Sequence, residues 1–342
     1  MLPHNMTWMK YPSLSKDPST NFEDIIFSQQ VISRFMHAYI ACFVPAGLLA
    51  GIVILGICIK NYRSRTLETL DVLFFPQTIS SIFLILLSLT IAVRPAYLKL
   101  SYIKCGTLSF FFSLGYFCSQ YLLVLMVLNL FLSRHPPQNA FISKVYRNPK
   151  VCVGFVLMCS SCLALIPSAL LGIENYQAET DCQLDPLFVW PEYEIIKFTF
   201  GFCAPSLFEL LCLVLAFVKK TRPDSHRSGK NTYPLSAILV MVTTRLVCHL
   251  FYNIMILSRT SLKIKGDIGT PQNELVMNIA EVVLFGESCV SLVILLCLHR
   301  PYRTTLLNTL KNLTTTCRRR RESNRSLEIQ ETQPGPSEIR SH

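Results

Sequence analysis

Four charged side chains and one histidine interrupt long apolar runs of this chain: Glu209, Arg245, Glu281 and Glu287, with His249 one turn beyond Arg245. A charge at the centre of a bilayer costs about 2.5–3.5 kcal/mol on insertion scales, so such residues persist where they pair or act. Counted from the basic-flanked ends of their runs, Glu209 is nine residues in, and Arg245 and Glu287 are eleven in. At 1.5 Å per residue the three heads fall roughly 14–17 Å from that face, at one depth. Arg245 is therefore expected to pair with Glu287 or Glu209 across a helix bundle. Two roles fit such a pair: a static bridge that relieves the burial cost, or a lock on one conformational state.

Other chemistries find little support. The seven histidines (His4, His37, His135, His226, His249, His299, His342) are scattered, with no His-x-x-x-His pair and no acid–histidine group at metal spacing. A glycine-rich phosphate loop and a nucleophile elbow are also missing. The expectation is a protein that is not an enzyme, with no catalytic residue, no metal and no cofactor.

The elements that must position these residues are membrane-spanning helices. The 342 residues are 51% hydrophobic and 15% charged, where a soluble domain carries about 25% charged residues. Apolar runs long enough to cross roughly 30 Å of hydrocarbon recur at 36–60, 72–94, 105–133, 151–172, 193–219, 234–258 and 273–298. The fold class read from this pattern is all-α integral membrane, a seven-transmembrane helix bundle. Residues 1–35 form an outer N-terminus, 36–298 the bundle and 299–342 an inner tail. The N-terminal stretch carries Lys10, Lys16, Asp17, Glu23 and Asp24 without an early apolar core, so it does not read as a cleavable signal peptide. No internal repeat is visible, and the odd number of spans also argues against inverted-repeat transporters.

The net charge of +11 does not point to nucleic acid, because its placement follows the membrane. With the N-terminus outside, 21 of the 32 Lys and Arg fall in the inner loops and tail. Outer Lys99, Lys104, Lys263 and Lys265 narrow that margin. Asn5-Met6-Thr7, a glycosylation sequon of a kind common by chance, lies on the outer side of this topology. Eleven of the fourteen cysteines fall in spans and Cys317 in the tail, which leaves Cys105 and Cys182 outside. One disulfide between them is expected, with two free thiols as the alternative. The outer segment from Ile173 to Glu194 holds six acids and no Lys or Arg. Residues 301–313 place Tyr302, Leu306, Leu310 and Leu313 on one face, which reads as a short amphipathic helix on the inner leaflet. Cys317 beside Arg318–Arg321 is either a palmitoylation site or part of an unmodified stop-transfer cluster.

These features together resemble the rhodopsin-like (class A) G-protein-coupled receptors over residues 36–313: seven spans, an outer N-terminus, Cys105 with Cys182, Pro205 in the fifth span, and the inner-leaflet helix. Lys144–Phe155 and Phe200–Pro205 are similar to divergent orphan receptors. The resemblance implies an outer ligand pocket around Phe112, Ser113, Tyr116, Tyr252, Asn253 and Glu281, with heterotrimeric G protein or arrestin as inner partners. A carboxylate at Glu281 and the acidic outer segment suit a ligand with a positive group, such as a basic peptide, although an acidic loop is more often merely solvated. Phe112 stands where amine receptors carry an aspartate, and Phe285 where opsins carry the retinal lysine. Departures from the family are several. Its acidic-Arg-aromatic triplet falls on Asn129-Leu130-Phe131, its sodium-binding aspartate on Ser81, its sixth-helix Trp and Pro on Leu250-Phe251, and its Asn-Pro-x-x-Tyr run on Ser291–Leu295. Three readings therefore stand: a signalling receptor, a non-signalling scavenger, chaperone or receptor partner of the same fold, and an ion or solute transporter. Partners common to all three are the lipid bilayer and an unknown extracellular ligand or solute, with no nucleic acid.

Replacing Cys105 or Cys182 by Ser is expected to reduce surface display of an N-terminally tagged chain. Undiminished display of both variants would remove the bridge from the argument.

Overall fold

Seven stretches of mean hydropathy between 1.6 and 2.6 form helices long enough to cross a membrane: Ile26–Arg63, Thr69–Leu89, Gly106–Ser133, Pro149–Leu170, Pro191–Leu215, Ser236–Leu262 and Leu275–Leu298. They are the first to seventh helices below. The computed structural model describes residues 22–66, 69–92, 99–100, 102–134, 148–170, 180–181, 191–220, 233–265, 270–309, 311 and 314–315. Asn5, Cys182 and Cys317 lie outside these residues, as does the Cys105 side chain, and with them the expected bridge and both modification sites.

Among the described residues the chain is helical apart from two short strands and a few turn and cap positions; in the strands Lys99 and Leu100 pair antiparallel with Asp181 and Thr180. That register sets residue 181 beside the approach to the third helix. The third and seventh helices form the axis of the bundle, with 67% and 61% of their central windows buried, whereas the fourth is peripheral at 17%. The third packs on the second, fourth, fifth and sixth, and the seventh on the first, second and sixth. The core is one apolar cluster running from Ile32 and Met36 through Phe117, Leu123 and Met241 to Leu292 and Tyr302.

Two prolines shape the helices locally. Pro45 and Pro205 each follow a π-helical turn, Tyr39–Phe43 in the first helix and Thr199–Cys203 in the fifth. A proline lacks the N–H its turn needs and its ring crowds the carbonyl four residues back, so the preceding turn widens. In the fifth helix the Ala204 N–H goes to the Thr199 carbonyl, which leaves Phe200 without a donor from its own helix. The Tyr121 hydroxyl of the third helix donates to that Phe200 carbonyl at 2.9 Å. The first helix also begins earlier than residue 36. Phe22–Ala38 is helical, and turns Ile32 and Met36 inward while Phe27 and Phe35 stay exposed.

The tail is fastened to the bundle. After His299 a helix continues over 300–309, and 311, 314 and 315 are helical too; residues 310, 312 and 313 of the expected 301–313 helix lie outside the described residues. Tyr302 does not face a leaflet but is fully enclosed. Its hydroxyl donates to Asp71 Oδ1 at 2.8 Å and lies 3.3 Å from the Cys58 sulfur, while Asn61 Nδ2 donates to the other Asp71 oxygen at 3.2 Å. Phe74, His299 and Tyr302 stack edge-on around them. Burial pushes the Tyr302 phenol up and the His299 imidazole down, so both stay neutral in this joint.

Gly47 lets the first helix touch the seventh, because a Cβ there would stand 2.9 Å from the Cys289 backbone. Gly56 meets nothing within 4 Å. Gly47→Ala is therefore expected to destabilise the bundle by roughly 1–3 kcal/mol in a thermal melt, an overpacking cost. Gly56→Ala is expected to match or exceed the parent, since alanine is the better helix former, and equal melts for the two would refute the contact.

Candidate functional site

The third, sixth and seventh helices bring polar side chains together by helical spacing. Tyr116, Ser119 and Gln120 share a face of the third helix at i, i+3 and i+4. Arg245 and His249 do so on the sixth at i, i+4, as do Glu287 and Ser291 on the seventh. All seven are buried or nearly so.

Arg245 is at the centre. Its Nη1 donates to the Ser119 carbonyl and its Nη2 to the Ser119 hydroxyl, both at 2.5 Å. Its Nε lies 3.5 Å from Glu287 Oε1, within ion-pair distance. Gln77 of the second helix closes the circle. In the orientation that satisfies both of its amide atoms, its oxygen accepts from Arg245 Nη2 at 3.1 Å and its nitrogen donates to the Ser119 carbonyl at 3.2 Å. Four helices thus converge on one guanidinium.

Glu287 has further partners. Ser291 donates to its Oε1 at 2.5 Å, and His249 Nε2 stands 3.8 Å from its Oε2. Gln120 Nε2 lies 2.7 Å from His249 Nδ1, which makes that ring nitrogen the acceptor and turns the Nε2–H toward Glu287. The Tyr116 ring stacks on His249 with centroids 5.5 Å apart. Glu209 is within electrostatic range of both Arg245 and Glu287, and its buried Oε1 makes no hydrogen bond. Of the pairings open to Arg245, the structure places it against Glu287, with Glu209 as a near neighbour.

Nearer the opposite end of the bundle, the expected pocket residues Phe112, Ser113, Tyr116, Tyr252, Asn253 and Glu281 are all buried. Phe112 and Tyr116 line a cavity with His249, Gln120, Glu287 and Ser288; it measures about 10 Å³, room for about one water molecule. Ser113, Tyr252, Asn253 and Glu281 do not line it. Phe112 meets Phe285 edge-on at 5.7 Å between ring centroids. Asn253 donates back to the His249 carbonyl of its own helix.

Sequence reasoning missed Lys197. It is 1% exposed, and its Nζ lies 5.3–5.8 Å from the ring centroids of Tyr252, Phe112, Tyr116 and Tyr193. It also donates to the Tyr252 hydroxyl at 2.7 Å. A desolvated ammonium over an aromatic ring gains about 2 kcal/mol, so this cage offsets much of the burial cost. The signal was there in Tyr193-x-x-x-Lys197, an aromatic one turn from a cation inside an expected span. Glu194 beside it accepts from the Thr260 hydroxyl at 2.5 Å, which ties the same ends of the fifth and sixth helices. Among the described residues no group of three or more His, Cys, Asp and Glu is placed to hold a metal.

Removing one partner of a buried ion pair costs roughly 3–5 kcal/mol, because the other charge is left behind. Arg245→Met is therefore expected to lower the melting temperature strongly, and Arg245→Met with Glu287→Leu to recover most of the loss. A double variant no more stable than the single would show that the Arg245–Glu287 pair is not the interaction that matters.

No protein-family model matches this chain and no curated protein matches it, so the assignment of the site rests on its own residues.

Proposed function

We propose that this chain is a multi-pass plasma-membrane receptor with its N-terminus outside, built like the rhodopsin-like G-protein-coupled receptors, which passes an extracellular signal to a G protein or arrestin. The observation that carries the reading is the convergence of the second, third, sixth and seventh helices on the Arg245 guanidinium. Such a junction has discrete arrangements, because a guanidinium can exchange partners only in whole bonds, and an outer ligand that favoured one arrangement would shift the population of the inner face. The tail helix pinned through Tyr302 to Asp71 supports it too, by giving the inner face a fixed wall. The acidic outer segment suits a basic peptide as the ligand, and Lys197 already fills the aromatic cage that a small ammonium ligand would seek. A non-signalling receptor partner is the second reading, favoured by Asn129-Leu130-Phe131, where the family's restraining arginine is missing.

The test is basal G-protein activation in cells displaying the chain with an outer N-terminal tag, against a membrane-matched control. Output above control, altered by Arg245→Gln at equal surface display, is the expected result. Silence of the displayed chain towards G proteins and arrestin alike would reject signalling in favour of the partner reading.

A further inference from the structure

Two buried side-chain atoms of the polar centre make no hydrogen bond. The Arg245 Nε–H has an ion-pair neighbour in Glu287 but no hydrogen bond, and Glu209 Oε1 has no hydrogen bond either. Both residues are at least nine-tenths buried, on adjacent helices, and each lies in the other's field. One is a donor and the other an acceptor, so the bond between them is chemically allowed and unmade.

The two carboxylates differ in their surroundings. Glu287 has Arg245, Ser291 and His249 around it. The ionisable groups that face Glu209 are Arg245 of the sixth helix, Glu287 of the seventh and Cys212 in its own helix. The third and fourth helices carry no charged residue over 105–133 and 151–170. An ionised carboxylate with an enclosed and unbonded oxygen costs several kcal/mol, which a proton or a guanidinium removes. One guanidinium serves two acids, and only one arrangement at a time gives each acid a partner.

We propose that Glu209 is a proton-binding site, and that loss of its proton draws the Arg245 Nε–H from its ion pair with Glu287 on the seventh helix to a bond with Glu209 on the fifth. In the step, the Glu209 carboxyl gives its O–H proton to water, and the resulting carboxylate accepts the Arg245 Nε–H. No covalent bond other than O–H changes. The ligand class is the proton itself. Its use as a signalling input rests on the receptor reading above, whereas the proton exchange is a property of the bundle alone.

The experiment uses the full chain in lipid nanodiscs, with infrared difference spectra as the pH rises from about 5 to about 9, the range in which buried carboxyls titrate. A protonated-carboxyl band that disappears with rising pH in the parent, and is missing at every pH in Glu209→Gln, is the expected result. Arg245→Gln is expected to keep that band to higher pH, since the cation that favours ionisation is gone. A parent without the band, or a band that survives in Glu209→Gln, overturns the proposal. So does an Arg245→Gln midpoint equal to the parent's. Basal G-protein output measured on the same variants separates the two ideas: an intact infrared titration with no cellular output rejects the receptor reading and leaves the proton site standing.

Discussion

The fold turns on the burial of one guanidinium. Arg245 cannot shed its charge, so everything within reach must be polar, oriented and present at once. Ser119 answers with both its carbonyl and its hydroxyl, Gln77 with its amide oxygen and Glu287 with a carboxylate. Because these come from three other helices, the residue that is costliest to bury is also the one that fixes their mutual rotation. An apolar centre would pack as well in several registers, whereas a fork of N–H donors in fixed geometry accepts few.

The backbone is adapted to that centre. Pro205 widens the fifth helix just outside it, and Gly201 in the widened turn lies so close to the Tyr116 ring that any Cβ would overlap it. Tyr116 thereby reaches His249, and His249 reaches Glu287. The carbonyl freed by the proline is taken up by Tyr121 from the helix that also carries Tyr116. A defect in one helix is thus repaired by its neighbour, and the repair holds the two helices in the register the polar centre needs.

Much of this was legible in the residue order. Helical rise alone set Glu209, Arg245 and Glu287 at one depth, and apolar run length located all seven helices to within several residues at most boundaries. What escaped were contacts between elements distant in the chain. Ser119 and Gln77 look like ordinary polar residues until helix packing points them at Arg245. Tyr302 reads as one more apolar residue on a surface helix, because nothing in its neighbourhood announces Asp71, 231 positions away. Lys197 is hidden by its place near a helix end, where a cation is expected to reach water. Only packing against Tyr252 and Phe112 encloses it.

The two buried cations are shielded by opposite means, and the difference has a consequence. Lys197 is held by ring faces and a phenol. Arg245 is held partly by the Glu287 carboxylate, and in the proposed exchange by Glu209 once that acid has given up its proton. Aromatic rings thus enclose one cation, and hydrogen bonds with an acid the other. Tyr116 belongs to both, with one ring over His249 and within 5.7 Å of the Lys197 ammonium. That ring also stands so near Gly201 that a Cβ at 201 would overlap it. A larger residue at 201 would therefore have to displace the one ring that neighbours both the Lys197 cage and the His249 imidazole.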